Sequence, residues 1–302
     1  MSKTIITLDS SQIKQFLICP ESWNLKYQQQ LRKSGYWTKK YADAGTIFHY
    51  LLDRYYTFKS FEKEKDPIKC ANNAVKLLKI HGLENELGIS DEDRAFIRER
   101  FTQYSFNYMN DPMRVLGSGT KLGVETGFSV VIYEDAHYIF VLEGKIDLLA
   151  DLGGIICFVD HKTRARSDLN LYGLKIQFLC YSLATGFRYG MYNYIGMAAK
   201  YDPKKTFERK LHYIPEWRVK EFKEYIIENV YRHLANKQHY TMPRNLNSCS
   251  GPDEKRPCEY CMLCDNRNDQ KIYDGIKKQF YEKAPRWSPW SVEEEAEEGV
   301  TA

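Results

Sequence analysis

Apolar residues along this chain recur with two different periods, and the changes of period divide it into segments. Ile13, Phe16, Leu17, Trp23 and Tyr27 follow helical spacing behind Asp9 and Ser10, either of which can cap the helix. Residues 34–41 look like a loop. Helical spacing returns over 43–58, placing His49 one turn from both Gly45 and Asp53. Two further helices are expected over 67–82 and 91–110. Gly117, Gly119 and Gly123 then break the helical period, and alternation takes over: residues 124–163 read as three strands, with turns at 133–136 and 151–154. A helix over 171–185, strands over 190–198 and 205–214, and a long amphipathic helix over 217–236 behind Pro215 complete the regular part. A short helix over 271–281 precedes a poorly ordered end.

This pattern predicts a mixed α/β fold. Its segments are an N-terminal helical one (1–42), a helix with a helical insert (43–116), a strand-rich core (117–240), a cysteine-rich region (241–285) and an acidic tail (286–302). A chain of 302 residues can bury one large core, with or without a smaller satellite. Its hydrophobic fraction of 43% and charged fraction of 28% place it among globular proteins rather than disordered ones. The net charge is +4 although Glu293 to Glu298 form an acidic run, so the remainder is more basic than the total. That balance allows a nucleic-acid partner without demanding one. Aromatic residues make up 14%, which serves base stacking or core filling equally well. No apolar run reaches the roughly 18 residues of a membrane span, and MSKTIITLD lacks the shape of a signal peptide. A cytoplasmic location is therefore expected, or the host cytoplasm for a phage-encoded chain.

Candidate chemistry concentrates in GKIDLLADLGGIICFVDHKT, Gly144 to Thr163. Asp147 and Asp160 sit at the edges of apolar runs, as a strand pair would hold two carboxylates. Lys162 shares a strand face with Asp160, since side chains repeat every second residue. Two carboxylates and an ammonium suit phosphodiester hydrolysis, in which a Mg²⁺ or Mn²⁺ ion takes oxygen ligands and activates water. The carbonyl of His161 lies between them as a further ligand. The plainer alternative is that the acids cap turns and the lysine faces solvent. His49 can add an imidazole ligand, or be an ordinary helical histidine. Glu125 opens the first strand and can reach the same metal, a second one, or solvent. Gln177 and Tyr181, four apart, share one helix face on which they can hold substrate.

Cys70, Cys157 and Cys180 stand alone and read as buried small hydrophobes. Cys249, Cys258, Cys261 and Cys264 crowd together, which in a reducing compartment suggests a metal or iron–sulfur centre. Zinc modules pair C-x2-C with a second pair or with histidines; His239 lies upstream, but no second pair does.

In order along the chain, GTIFH (Gly45 to His49), GKID (Gly144 to Asp147), DHKT (Asp160 to Thr163) and QFLCY (Gln177 to Tyr181) resemble the motifs of the PD-(D/E)XK nuclease superfamily. The resemblance is to its RecB-like branch, which includes phage exonucleases and the nuclease domains of recombination helicase–nucleases. It covers most of the chain and is loosest between Tyr56 and Gly117. It implies a restriction-endonuclease-like core with a helical insert and a C-terminal cysteine-cluster region. It also implies metal-dependent DNA cleavage, usually from an end. His49, Asp147, Asp160 and the His161 carbonyl would hold Mg²⁺ or Mn²⁺, Lys162 would be catalytic, and Gln177 and Tyr181 would touch DNA. Glu125 matches a less constant acidic position. Position 161 is His where tyrosine is commoner.

CPESW, Cys19 to Trp23, resembles the N-terminal element that this branch joins to three C-terminal cysteines around a [4Fe–4S] cluster. By that resemblance the ligands are Cys19, Cys249, Cys258 and Cys264, with Cys261 as a substitute and zinc as the lesser alternative. The implied roles are DNA recombination, repair or phage DNA processing, beside a recombinase, helicase or single-strand-binding protein, and ring-like homo-oligomers occur in the branch. Trp287 and Trp290 could dock on a partner, a second subunit or their own domain. Two other readings remain: an end-trimming nuclease of CRISPR spacer acquisition, and a non-cleaving DNA-binding component of a recombination complex.

Overall fold

The computed structural model describes residues 2–34, 40–61, 66–87, 89–118, 121–164, 175–198, 201–235, 242–249 and 258–284. His239, Trp287, Trp290 and the acidic tail lie outside them. In chain order the elements begin with β1 (Thr4–Leu8), α1 (Ser10–Ile18), α2 (Pro20–Trp23), β2 (Leu31–Lys33) and α3 (Lys40–Phe61). They continue with α4 (Pro67–His81), α5 (Leu83–Glu86), α6 (Asp91–Asn107), β3 (Met113–Val115), β4 (Gly117–Ser118) and β5 (Lys121–Leu122). Next come β6 (Val124–Glu134), β7 (Tyr138–Leu152), β8 (Ile155–Arg164), α7 (Ile176–Thr185), β9 (Tyr189–Gly196), α8 (Pro203–Thr206) and β10 (Phe207–Tyr213). The last are α9 (Glu216–Ile226), α10 (Arg232–Ala235), α11 (Cys261–Asp265), α12 (Gln270–Phe280) and β11 (Tyr281–Lys283). Among the described residues no helix is long and apolar enough to cross a membrane.

Local chemistry accounts for several of these boundaries. Asp9 caps α1 by accepting from the backbone N–H of Ser11 and Gln12. Pro20 ends that helical run after Cys19, where continuous helix had been expected as far as Tyr27. Asp66 caps α4 with Pro67 in its first turn, and Gly82 closes it at φ 67°, a conformation costly to a residue with a side chain.

The chain divides into two compact units, each assembled from separate segments. One comprises Met1–Tyr36, Ser129–Gly144 and Lys220–Ala302. Within it β1 runs parallel to the start of β7, with Thr4 opposite Tyr138 and Leu8 opposite Leu142, and β2 pairs antiparallel with β11. Leu25, Leu31, Tyr260, Leu263, Cys264 and Tyr281 form a small core there.

The other unit comprises Trp37–Phe128 and Lys145–Val219. The later part of β7 pairs antiparallel with β8, β8 parallel with β9, and β9 antiparallel with β10. β3 pairs antiparallel with the end of β7. Leu148, Ala150, Cys157 and Val159 from this sheet join Ile47, Phe48, Leu51 and Leu52 of α3, with residues of α4 and α6, in the main core. The insert between His49 and the strands is therefore part of the core. Cys70 and Cys157 belong to that core, and they and Cys180 are fully buried, as expected of small hydrophobes.

Candidate active site

The sheet-bearing unit also carries GTIFH, Lys145 to Asp147 of GKID, DHKT and QFLCY. Helix α3 passes close to β8: a Cβ on Gly45 would lie 3.1 Å from the Thr163 hydroxyl, so only a hydrogen fits there easily. One turn on, His49 Nδ1 reaches within 3.6 Å of Asp147 Oδ2 on β7. That oxygen also accepts a 2.7 Å hydrogen bond from the backbone N–H of His161. His49, Glu125 and Asp147 each present one ligand atom, and the three atoms lie within 4.8 Å of one another.

Burial, then the charge of Asp160, raises the Asp147 carboxyl to about 7, against the opposing pull of Lys162, the His161 N–H and Lys145. Burial likewise raises Glu125, with Asp147 adding to the effect. Burial lowers His49, although Glu125 and Asp160 pull the other way, so its ring is neutral and able to ligate.

Asp160 on β8 is 1% exposed and pairs with Lys162. The ammonium donates to Oδ1 at 2.9 Å and lies 2.8 Å from Oδ2, so it faces both carboxylate oxygens. Asp160 lies outside the compact His49–Glu125–Asp147 group, though its charge is felt by both Asp147 and His49. Lys162 also reaches Gln177 Oε1 at 3.4 Å. The Gln177 amide donates to the Tyr181 hydroxyl, which donates to the Lys145 carbonyl, both at 2.8 Å. Tyr181 is itself buried, edge-on to Phe128 and Phe158.

The His161 ring is fixed independently of its backbone. Burial holds it well below the usual histidine range, and it stacks on Tyr56 at an interplanar angle of 4°. Asn193, its register partner on β9, donates to Nδ1 at 2.8 Å. The Asn193 oxygen accepts from Arg209 Nε at 3.2 Å, and Arg209 donates to both oxygens of Asp111 at 2.8 Å. Arg209 further donates to Tyr56 and Tyr104, each at 3.1 Å, and lies 3.6 Å over the Tyr108 ring. Asp111 and Arg209 also line a cavity of about 410 Å³, whose lining includes none of the motif residues.

Residues not singled out from sequence complete the site. Lys145 Nζ lies 2.6 Å from Glu125 Oε2. Strand alternation carries the signal, since Lys145 and Asp147 share the half-buried face of β7. Asp53 stands one turn beyond His49, where burial raises its carboxyl against the pull of Arg54 and Lys145. Glu125 takes φ 46°, a left-handed backbone that costs a residue with a side chain about 1–3 kcal/mol.

Residues 8–265 match the PD-(D/E)XK nuclease superfamily. The chain belongs to that superfamily. Its mixed α/β core with a helical insert is the core of a PD-(D/E)XK protein, and the His49–Glu125–Asp147 cluster is a candidate metal site of a nuclease of this type. One solved structure, the crystal structure of SSO0001, is similar at 12% identity and a TM-score of 0.29, over 64% of this chain and 77% of that one. Among curated proteins none matches.

The expected [4Fe–4S] cluster, or zinc in its place, is corrected by the structure. Among the described residues, the set of at least three His, Cys, Asp and Glu ligand atoms lying mutually within 4.8 Å contains no cysteine. The thiols of Cys19, Cys249, Cys258 and Cys264, with Cys261 as substitute, make no such group. Cys19 Sγ accepts from the Asn245 N–H at 3.4 Å, Cys249 Sγ donates to the Asn245 carbonyl at 3.6 Å, and Cys261 Sγ donates to Asp265 at 3.4 Å. Burial pushes the Cys258 and Cys261 thiols up and the Cys264 thiol to about 12. Among the described residues of 241–285 there is therefore no cysteine cluster.

Proposed function

We propose that this PD-(D/E)XK protein is a metal-dependent DNA exonuclease acting in recombination, repair or phage DNA processing. The convergence of His49, Glu125 and Asp147 carries the reading. The donors suit the ion: two carboxylates and a neutral imidazole fit Mn²⁺, and Mg²⁺ through the oxygens. All three side chains are partly exposed and within reach of solvent. We assign metal binding to His49, Glu125 and Asp147, with Asp160 and the His161 carbonyl nearby. The bound ion would activate water and offset charge on the phosphoryl group.

The chain's own groups supply the rest. Lys162, oriented by Asp160 and Gln177, offers an ammonium to the developing negative charge. Gln177 and Tyr181 hold that lysine and the Lys145 carbonyl in place beside the DNA. The preference for ends rests on the likeness of the four motifs to exonucleases of the RecB-like branch.

Digestion of end-labelled linear DNA, beside a covalently closed circle, tests the reading. Mononucleotide or short-oligonucleotide release from the linear form only, dependent on Mg²⁺ or Mn²⁺ and lost in Asp147→Ala, is the expected result. Equal cutting of the circle would make it an endonuclease, and metal-independent cutting would remove the reading altogether.

The raised Asp147 carboxyl has a pH signature. The native state holds a proton between the unfolded carboxylate value near 4 and about 7 that the unfolded state has released. Metal-free protein therefore loses stability as pH rises through that window, by up to about 1.4 kcal/mol per pH unit. Above about 7 this contribution stops changing. Thermal unfolding from pH 4.5 to 8 should show the decline, and Asp147→Asn should flatten it; a slope unchanged by the substitution would place its origin elsewhere.

A further inference from the structure

Lys145 occupies an unusual place among the acids. Its ammonium is 2.6 Å from Glu125 Oε2 and pulls on the carboxyls of Asp147 and Asp53 as well. It projects from the same face of β7 as Asp147, two residues away. Around it stand the carboxylates of Asp53, Glu125 and Asp147. Asp53 has another cationic partner in Arg54. Asp147 has His49 and a backbone N–H instead. Glu125 is thus a metal-ligand candidate whose carboxylate already carries an ammonium, and its backbone is held at φ 46°. An ordinary surface ion pair needs no such backbone and does not share its cation among three acids.

We propose that Lys145 is a resident counter-ion that holds Glu125 in place for a divalent cation and competes with that cation for it. The inference rests on the metal-site reading above. An ammonium and a divalent ion cannot share the carboxylate at close range without strong mutual repulsion. Metal entry therefore turns Lys145 away from Glu125, and the freed ammonium stays within the site as a positioning cation for a DNA phosphate. Lys145 thereby tunes metal affinity downward.

Calorimetric titration of the full chain with Mn²⁺, without DNA, tests this in wild type, Lys145→Met, Lys145→Gln, Lys145→Arg and Asp147→Ala. Lys145→Met and Lys145→Gln should bind Mn²⁺ about twofold to fivefold more tightly than wild type, the upper range of one partly exposed ion pair. Lys145→Arg should stay near wild type, because it keeps the charge. Damage to the fold loosens binding, so tightening is not a structural side effect, and Lys145→Gln decides the matter if Lys145→Met fails to fold. Unchanged or weaker binding in the neutral variants, with wild type binding and Asp147→Ala not, overturns the counter-ion role alone. Absence of Mn²⁺ binding by wild type overturns the metal site and this inference together.

Discussion

Lys162→Met is expected to lower DNA cleavage by roughly 10²–10³-fold, the range for loss of one preorganised group facing developing charge. The substitution keeps the length of the side chain and removes its ammonium. Asp160, 1% exposed, then loses the ammonium that faces both of its oxygens. A stability loss of about 1–3 kcal/mol should accompany the change. Cleavage is therefore to be compared at a temperature where both proteins are folded, with thermal unfolding as the check. Lys162→Arg retains the charge but not the compact ammonium, and should recover stability more fully than rate. Activity of Lys162→Met within tenfold of wild type would assign the lysine to structure alone.

Arg209→Met should be the most damaging change to the fold. The guanidinium side chain is 12% exposed and its partner Asp111 2% exposed. It makes hydrogen bonds to Asp111, Asn193, Tyr56 and Tyr104 and stacks on Tyr108. Methionine leaves a buried carboxylate unpaired, which costs about 3–5 kcal/mol. For a chain of this size that corresponds to a fall in Tm of roughly 6–20 °C. Pairing it with Asp111→Asn should restore part of the loss, because the stranded charge is gone, and the double-mutant cycle measures their coupling. A loss under about 1 kcal/mol in Arg209→Met would mean that water reaches Asp111. The same network ends on the His161 ring through Asn193, so surviving protein should also cleave more slowly.

How much of this was legible in the sequence depended on the kind of interaction. The three strands β6, β7 and β8 followed from alternation and from the Asp151–Gly154 turn. The helices carrying His49 and Gln177 followed from helical spacing. The candidate side chains of the four motifs share one unit, each riding on an element that the local pattern defines. Strands β1 and β3 were missed: five and three residues long, they owe their form to pairing with β7, which no short-range pattern records. The polar network behind His161 was illegible for the same reason, as Arg209, Asp111 and Tyr56 are far apart in sequence. Cysteine spacing misled because proximity in sequence does not fix where sulfurs point. Lys145 could have been found, since its spacing from Asp147 was visible.

The sheet-bearing unit is written in two pieces, Trp37–Phe128 and Lys145–Val219, with Ser129–Gly144 between them belonging to the other unit. No single stretch of the gene therefore encodes the unit with the candidate site alone. On the ribosome, all of its residues have been synthesised by Val219, whereas the other unit must await the chain from Lys220 onward before it can close. A nonsense mutation late in the reading frame would then spare every candidate catalytic residue and still strand Met1–Tyr36 without its C-terminal complement. Recombination that exchanges such proteins between genomes would meet the same constraint, and would have to move the whole chain or nothing.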